Sequence, residues 1–139
     1  MNKVNGGKTM KFSNMHQHKS FWKIKEQIPA NLKGDLELLS VAYIMASNDD
    51  INKKMAPYIN WVDGFDYEMM FANETFSPSE KVLAKVAVAL YDNGVDLQFN
   101  EVFTELDQYQ REVALNAANY RYDKKEIYEL ADDENLYIN

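Results

Sequence analysis

Cysteine is absent from the 139 residues of the chain. That excludes structural disulfides, thiolate nucleophiles and cysteine-ligated zinc, and it agrees with a reducing compartment. Histidine is nearly absent too. His16 and His18 are the only two, so no Ser-His or Cys-His couple can be assembled outside the N-terminal segment. No apolar run approaches the roughly 20 residues of a membrane span, and the N-terminus has no apolar signal core, so neither insertion nor secretion is expected and a cytoplasmic location is. No Walker-type phosphate loop, G-x-G-x-x-G or G-x-S-x-G pattern occurs, which leaves phosphate cradles and hydrolase elbows without support. Internal repeats at solenoid spacing are missing as well.

What is present suffices for one domain: 46% hydrophobic and 13% aromatic residues can build a core without staples. The net charge of −7 conceals an asymmetry, since residues 1–54 carry nine lysines against five acids and residues 55–139 carry six basic residues against seventeen acids. A field of that shape disfavours nucleic acid. It suits a basic partner of the C-terminal part, or attraction between the two parts within one fold or across a homodimer.

Helix signals coincide most densely between Ser77 and Gly94. Ser77 and Glu80 form a capping pair around Pro78, which fits the first helical position because its missing N–H costs nothing there. Val82, Val86 and Leu90 make one row, Leu83 and Ala87 a second, and Val88 widens the stripe, so the helix over 78–92 is expected at the centre of the fold. Gly94 is read as the left-handed residue that ends it.

Residues 1–9 read as a polar leader, with Met10-Lys11-Phe12 resembling a second start. Asn14 with Gln17 opens a helix through Phe21, Trp22, Ile24 and Ile28 that Pro29 ends. Asp35 caps an almost wholly apolar helix over 36–47. Asn48-Asp49-Asp50 starts a short helix through Ile51 and Met55, which Pro57 stops. Asp63-Gly64 between alternating runs predicts a β-hairpin over 58–69, in which Val62 faces Phe65, Asn60 faces Tyr67 and Tyr58 faces Met69; residues 70–76 are then a loop. Asn100 is expected to cap a short helix through Val102, Phe103 and Leu106, and Asp107 with Gln110 to cap a longer one through Tyr109, Val113, Ala117 and Tyr120. The acidic segment 123–139 is expected to be partly helical and then frayed. The fold class that follows is mainly α: a compact bundle of about six helices over residues 10–122 around a buried central helix, with a short hairpin.

The stretch from about Asp35 to Tyr122 resembles an uncharacterised family of short proteins from Bacillota and their phages, known as a domain of unknown function. Tyr43-Ile44 with Asn48-Asp49 carries the resemblance, as do Ser77, Ser79-Glu80-Lys81, Leu83-Ala84-Lys85 and Leu90-Tyr91-Asp92-Asn93-Gly94. Leu106-Asp107, Ala114-Leu115-Asn116-Ala117 and Arg121-Tyr122 complete it. The resemblance implies a phage or mobile-element setting and brings no catalytic residues with it.

Candidate chemistry is thin. His16 and His18 lie two positions apart on a helix, where their rings diverge by about 200°, so no metal site is expected of them. Asp63-Gly64-Phe65-Asp66-Tyr67-Glu68 has its glycine too early for a calcium loop and reads as a turn. Asp49-Asp50 reads as helix capping rather than as an acid/base pair. The segment 101–121 imitates a helix-turn-helix, but Glu101, Glu105 and Glu112 would meet phosphate with the wrong sign, so a packed helical hairpin is expected. Lys19, Lys23 and Lys25 beside Phe21 and Trp22 form the better nucleic-acid candidate, a basic stretch with interleaved aromatics.

The function expected is accordingly a non-catalytic protein-binding regulator or inhibitor of phage or mobile-element origin, with a host protein, such as a component of a defence system, as its partner. No catalytic residue, cofactor or metal is assigned. The alternatives are a small enzyme using Asp63, Asp66 and Glu68 near the hairpin, and a nucleic-acid-binding module working through the lysine-rich first helix.

Overall fold

In a computed structural model of the chain, the residues described are Phe12, 14–92 and 94–122. The segments expected to be a leader (1–9) and an acidic end (123–139) lie outside them.

The most enclosed element is the helix over 36–47 expected from Asp35, observed as α2 (Leu36–Ala46), in which every residue except Glu37 is buried. Asp35 caps it, its carboxylate accepting from the Leu38 N–H at 3.0 Å. Helices α1 (Met15–Glu26), α3 (Asp49–Met55), α5 (Pro78–Asp92) and α7 (Gln108–Tyr122) all pack against α2. The side chains that fill these contacts are the expected ones: Phe21 and Ile24 from α1, Ile51 and Met55 from α3, Leu83 and Val86 from α5, Val113 and Ala117 from α7. Tyr43 is fully buried at the centre, edge-on to Tyr120 at 5.5 Å and accepting from Asn116 at 3.4 Å. Helices α4 (Tyr67–Asn73) and α6 (Phe99–Glu105) and an antiparallel pair, β1 (Ile59–Asn60) and β2 (Gly64–Phe65), complete the described elements. The fold is the mainly helical bundle with a small hairpin that the sequence predicts, but the helix at its centre is α2, and the 78–92 helix expected there, α5, is one of the four that pack around it.

Most helix starts are also as expected. Ser77 Oγ accepts from the Glu80 N–H at 3.2 Å while Glu80 returns to the Ser77 N–H at 2.9 Å. Asp107 and Gln110 make the same reciprocal pair at 2.8 and 2.9 Å. Asn14 and Asn48 cap α1 and α3.

Four local expectations are corrected. The hairpin pairs Ile59 with Phe65 and Asn60 with Gly64, rather than Val62 with Phe65. Its cause is Asn60, whose side-chain oxygen accepts from the N–H groups of both Val62 and Asp63 at 2.9 Å, making a longer side-chain-closed turn. Second, residues 67–73 are helical and not strand followed by loop, because Asp66 caps them by accepting from the Met69 N–H at 3.3 Å, with Met70 turned into the core. Third, α6 starts earlier than Asn100: Glu101 reaches back to the Gln98 N–H at 2.8 Å, and the resulting frame buries Val102 and Leu106 but leaves Phe103 exposed. Fourth, Gly94 is not the left-handed residue; among the described glycines only Gly64 has positive φ, at 129°. Gly94 is needed for a close approach instead, since a Cβ there would collide with the Tyr67 hydroxyl.

Candidate functional site

Among the described residues, a concavity lies where the hairpin leaves the bundle. An open cleft of about 660 Å³ is bounded by Tyr58, Asn60, Asp63, Phe65, Asp66 and Met69. Two smaller hollows of about 160 and 170 Å³ share Trp61, the first reaching Glu37 and Tyr91, the second Ile24 and Met45. The hairpin between them is held at several points. Phe65 is buried and edge-on to Tyr91 at 5.7 Å, and the bare Cα of Gly64 lets the backbone pass that ring, because a Cβ would stand 3.0 Å from the Tyr91 hydroxyl. Tyr58 donates to the Glu74 carboxylate at 2.7 Å, and Tyr67 donates to Asp92 at 3.0 Å. Each of these bonds stabilises the protonated phenol and holds its pKa above the usual tyrosine value.

This geometry fixes what the cleft offers chemically. Of the three acids expected here, Asp63 and Asp66 share the cleft while Glu68 is not among its lining residues. Asp66 is already engaged as the cap of α4. Tyr58 is held as the protonated phenol, and its O–H already donates to Glu74. Of the ionisable side chains that line the cleft, Asp66 and Tyr58 are thus each committed to a structural hydrogen bond. The Asp63-Gly64 segment belongs to the hairpin, as expected, but the turn itself is residues 61–63 and Gly64 already lies in β2.

The two histidines diverge as their spacing requires. His16 points to Asp49, Nε2 to Oδ1 2.9 Å, on the surface. His18 turns inward, its Nε2 accepting from Trp22 Nε1–H at 2.9 Å while its ring stacks on Phe12 at 4.8 Å. Among the described residues there is no group of three or more histidines, cysteines, aspartates or glutamates placed to hold a metal ion.

The basic stretch of α1 is split by the fold. Lys19 and Lys23 are exposed, but Phe21 is fully buried in the core and Lys25 is 3% exposed, with Nζ 4.7 Å above the Trp22 ring. Phe21 therefore has no face to offer a base, and the five residues do not form one surface. The helix-turn-helix imitation also resolves as packing. Arg111 donates to the Leu106 carbonyl at 2.9 Å, and Arg121 to the Leu90 carbonyl at 2.8 Å and to Glu37 at 3.2 Å. Those are the only two arginines of the chain, and both are used to tie helices together.

One surface feature was not expected. Phe99 is 78% exposed and Phe103 44%, with ring centroids 5.0 Å apart, one turn of α6 after the other. The signal was present in the spacing: Phe99, Val102, Phe103 and Leu106 form a full i, i+3, i+4, i+7 stripe. Helices α5 and α7 flank α6 and cover only the Val102 and Leu106 row.

No family model matches the chain, and no curated protein or solved structure matches it either. Among the described residues no helix is long and apolar enough to cross a membrane.

Proposed function

We propose that the protein is a non-catalytic, protein-binding regulator or inhibitor that engages its partner through the acidic C-terminal part of the bundle. The observation that carries this reading is the uncovered Phe99–Phe103 row, set in a stretch from Asp96 to Asp107 whose four charged residues are all acids. Contiguous exposed apolar surface marks interaction sites where scattered single side chains do not, and these two rings lie against each other. The resemblance over 35–122 adds the setting: a phage or mobile element, with a host protein as target and a component of a defence system as one such target.

The test is affinity capture from a host bacterial lysate at low and at moderate salt. A partner held at low ionic strength and released as salt rises is the expected result, since complementary charge is screened over about 8–10 Å at physiological salt. Capture of nothing at either salt concentration overturns the reading.

A further inference from the structure

We infer that the hollow of about 160 Å³ beside the hairpin is a binding site for an alkylammonium group, attracted by the rings of Trp61 and Tyr91 and neutralised by Asp35, Glu37 and Asp63, all five of which line it. Such a site lies outside the protein-binding reading and does not depend on it. Size sets the first limit. The hollow has about half of the ~300 Å³ at which pockets for drug-sized ligands begin, so it takes one small head group on a short stem. Leu32 and Leu38 line it as well and offer the stem apolar surface. Trp61 and Tyr91 are half-buried, and rings of these two types attract a cation through the negative face of the π-system, more strongly where water is partly excluded.

Charge and spacing select the ligand. Residues 55–80, which include the whole hairpin, carry five acids and no lysine, arginine or histidine. The chain's own cations do not make up the difference. Arg121 pairs with Glu37 through Oε2 and is shared with the Leu90 carbonyl, while Lys33, two residues before Asp35, donates to the Lys25 carbonyl at 2.6 Å. Three carboxylates therefore face one guanidinium. Asp35 uses only Oδ1 in capping α2, and the exposed Asp63 carboxylate has no hydrogen bond or ion pair with any described residue. An anion is a poor ligand for such a hollow. A bare metal ion is a poor one for a different reason: three carboxylates line the space, yet among the described residues no three acidic or histidine side chains are placed to hold a metal. They stand around a volume instead of converging on a point. A polyatomic cation with an apolar stem matches that spacing.

The experiment uses the full chain, labelled with nitrogen-15 and titrated with n-butylammonium at constant ionic strength; n-butanol and sodium ion are the controls for stem and for charge. The two tryptophans, Trp22 and Trp61, supply two indole N–H signals. Expected is a saturable shift of the Trp61 indole and of the amides of 62–64 and 91, with the Trp22 indole unmoved and neither control reproducing it. Trp61→Leu keeps an apolar side chain in the turn and should weaken binding, read from the same amides, by about fivefold or more, the scale of a cation–π contact. Because that change can also loosen the hairpin, Asp63→Asn, at an exposed position, serves as a second variant and should weaken binding by about two- to fivefold, the scale of one exposed ion pair. Shifts that grow with added cation without saturating, an equal response to n-butanol, shifts centred elsewhere, or unchanged affinity in Asp63→Asn overturn the inference. A second arm finds the source of the ligand with a blocked Gly-Gly-Lys-Gly-Gly peptide. Tighter binding of the peptide than of the free amine assigns the hollow to a lysine presented by another chain, and binding of the free amine alone assigns it to a small molecule; either result upholds the ammonium site. Failure of the lysate capture leaves it untouched, since nothing in this titration requires a host protein.

Discussion

Glu80, in the first turn of α5, joins two pieces of structure through one carboxylate: it closes the cap of α5 on Ser77 and accepts from Lys54 of α3 at 2.8 Å, with its side chain only 13% exposed. Partial burial pushes its pKa up, but the hydrogen bonds from Lys54 and Ser77 together outweigh that and hold it below the ordinary glutamate value. A lowered pKa in the folded state means that folding favours the ionised form. The contribution is complete above the unfolded value of about 4.3 and is lost as pH falls through the folded one. Glu80→Gln keeps a cap acceptor and removes the charge, so it should cost about 1 kcal/mol at pH 7, and the difference from the parent should shrink as pH drops below ~4. Thermal melts of both proteins across pH 3–8 measure this; a gap that does not change with pH would show that the charge is not its source. At this scale the sequence was readable at Asn14, Asp35, Asn48, Ser77 and Asp107, where a side chain acts within three residues, but not at Asn60, Asp66 or Gln98, where equally local bonds compete with other patterns. It was not readable at Gly94, whose need for a missing Cβ is set by Tyr67, a residue 27 positions earlier in the chain.

At the scale of elements, the long helices were legible because their apolar rows run for three or four turns, so one misread position changes nothing. The hairpin and α4 were not. Phe65, Tyr67 and Met69 satisfy an alternating pattern and a helical start equally well over so few residues, and the arbiter is the Asp66 side chain, which captures the Met69 N–H and commits the chain to a turn of helix. Helix α4 is seven residues long and buries only Met70 fully, so its cap should be a large share of its local stability. Asp66→Ala is expected to cost about 1 kcal/mol and to raise amide exchange through 67–73, while Asp66→Asn, which can still cap, should stay close to the parent. Equal losses in the two variants would mean that the charge of Asp66, and not its hydrogen bond, sets α4. The Phe99–Phe103 row escaped the sequence reading for a related reason. Its periodicity correctly marks an apolar stripe, but periodicity cannot say whether a neighbouring element arrives to cover it.

Across the whole molecule, the charge asymmetry is partly consumed inside the fold. Lys54 from the basic part pairs with Glu80, and Arg121 near the C-terminal end of α7 returns to Glu37. What these pairs join is organised around α2, and that arrangement makes a testable statement about cooperativity. Leu39, Val41, Ile44 and Met45 point to different neighbours, with 2% exposure or less each. Opening α2 would return all of them to water at roughly 1.5–3 kcal/mol per large side chain, in addition to stripping the partners on α1, α5 and α7. That sum is comparable with the entire stability of about 5–15 kcal/mol expected of a domain, so no local motion of α2 is cheaper than unfolding everything. The hairpin is the opposite case. It has two residues per strand, an exposed tip at Val62 and Asp63, and Phe65 as its one buried anchor. Native-state hydrogen exchange in low denaturant should therefore divide the molecule. Amides of 40–46 are expected to exchange with the full unfolding free energy and the full denaturant slope, and the Asp66 amide, bonded to the Tyr58 carbonyl at 2.8 Å, several kcal/mol sooner with a slope near zero. If the α2 amides instead exchange alongside Asp66, the bundle opens between its helices before it unfolds. The enclosure of α2 would then not be what holds the described residues together.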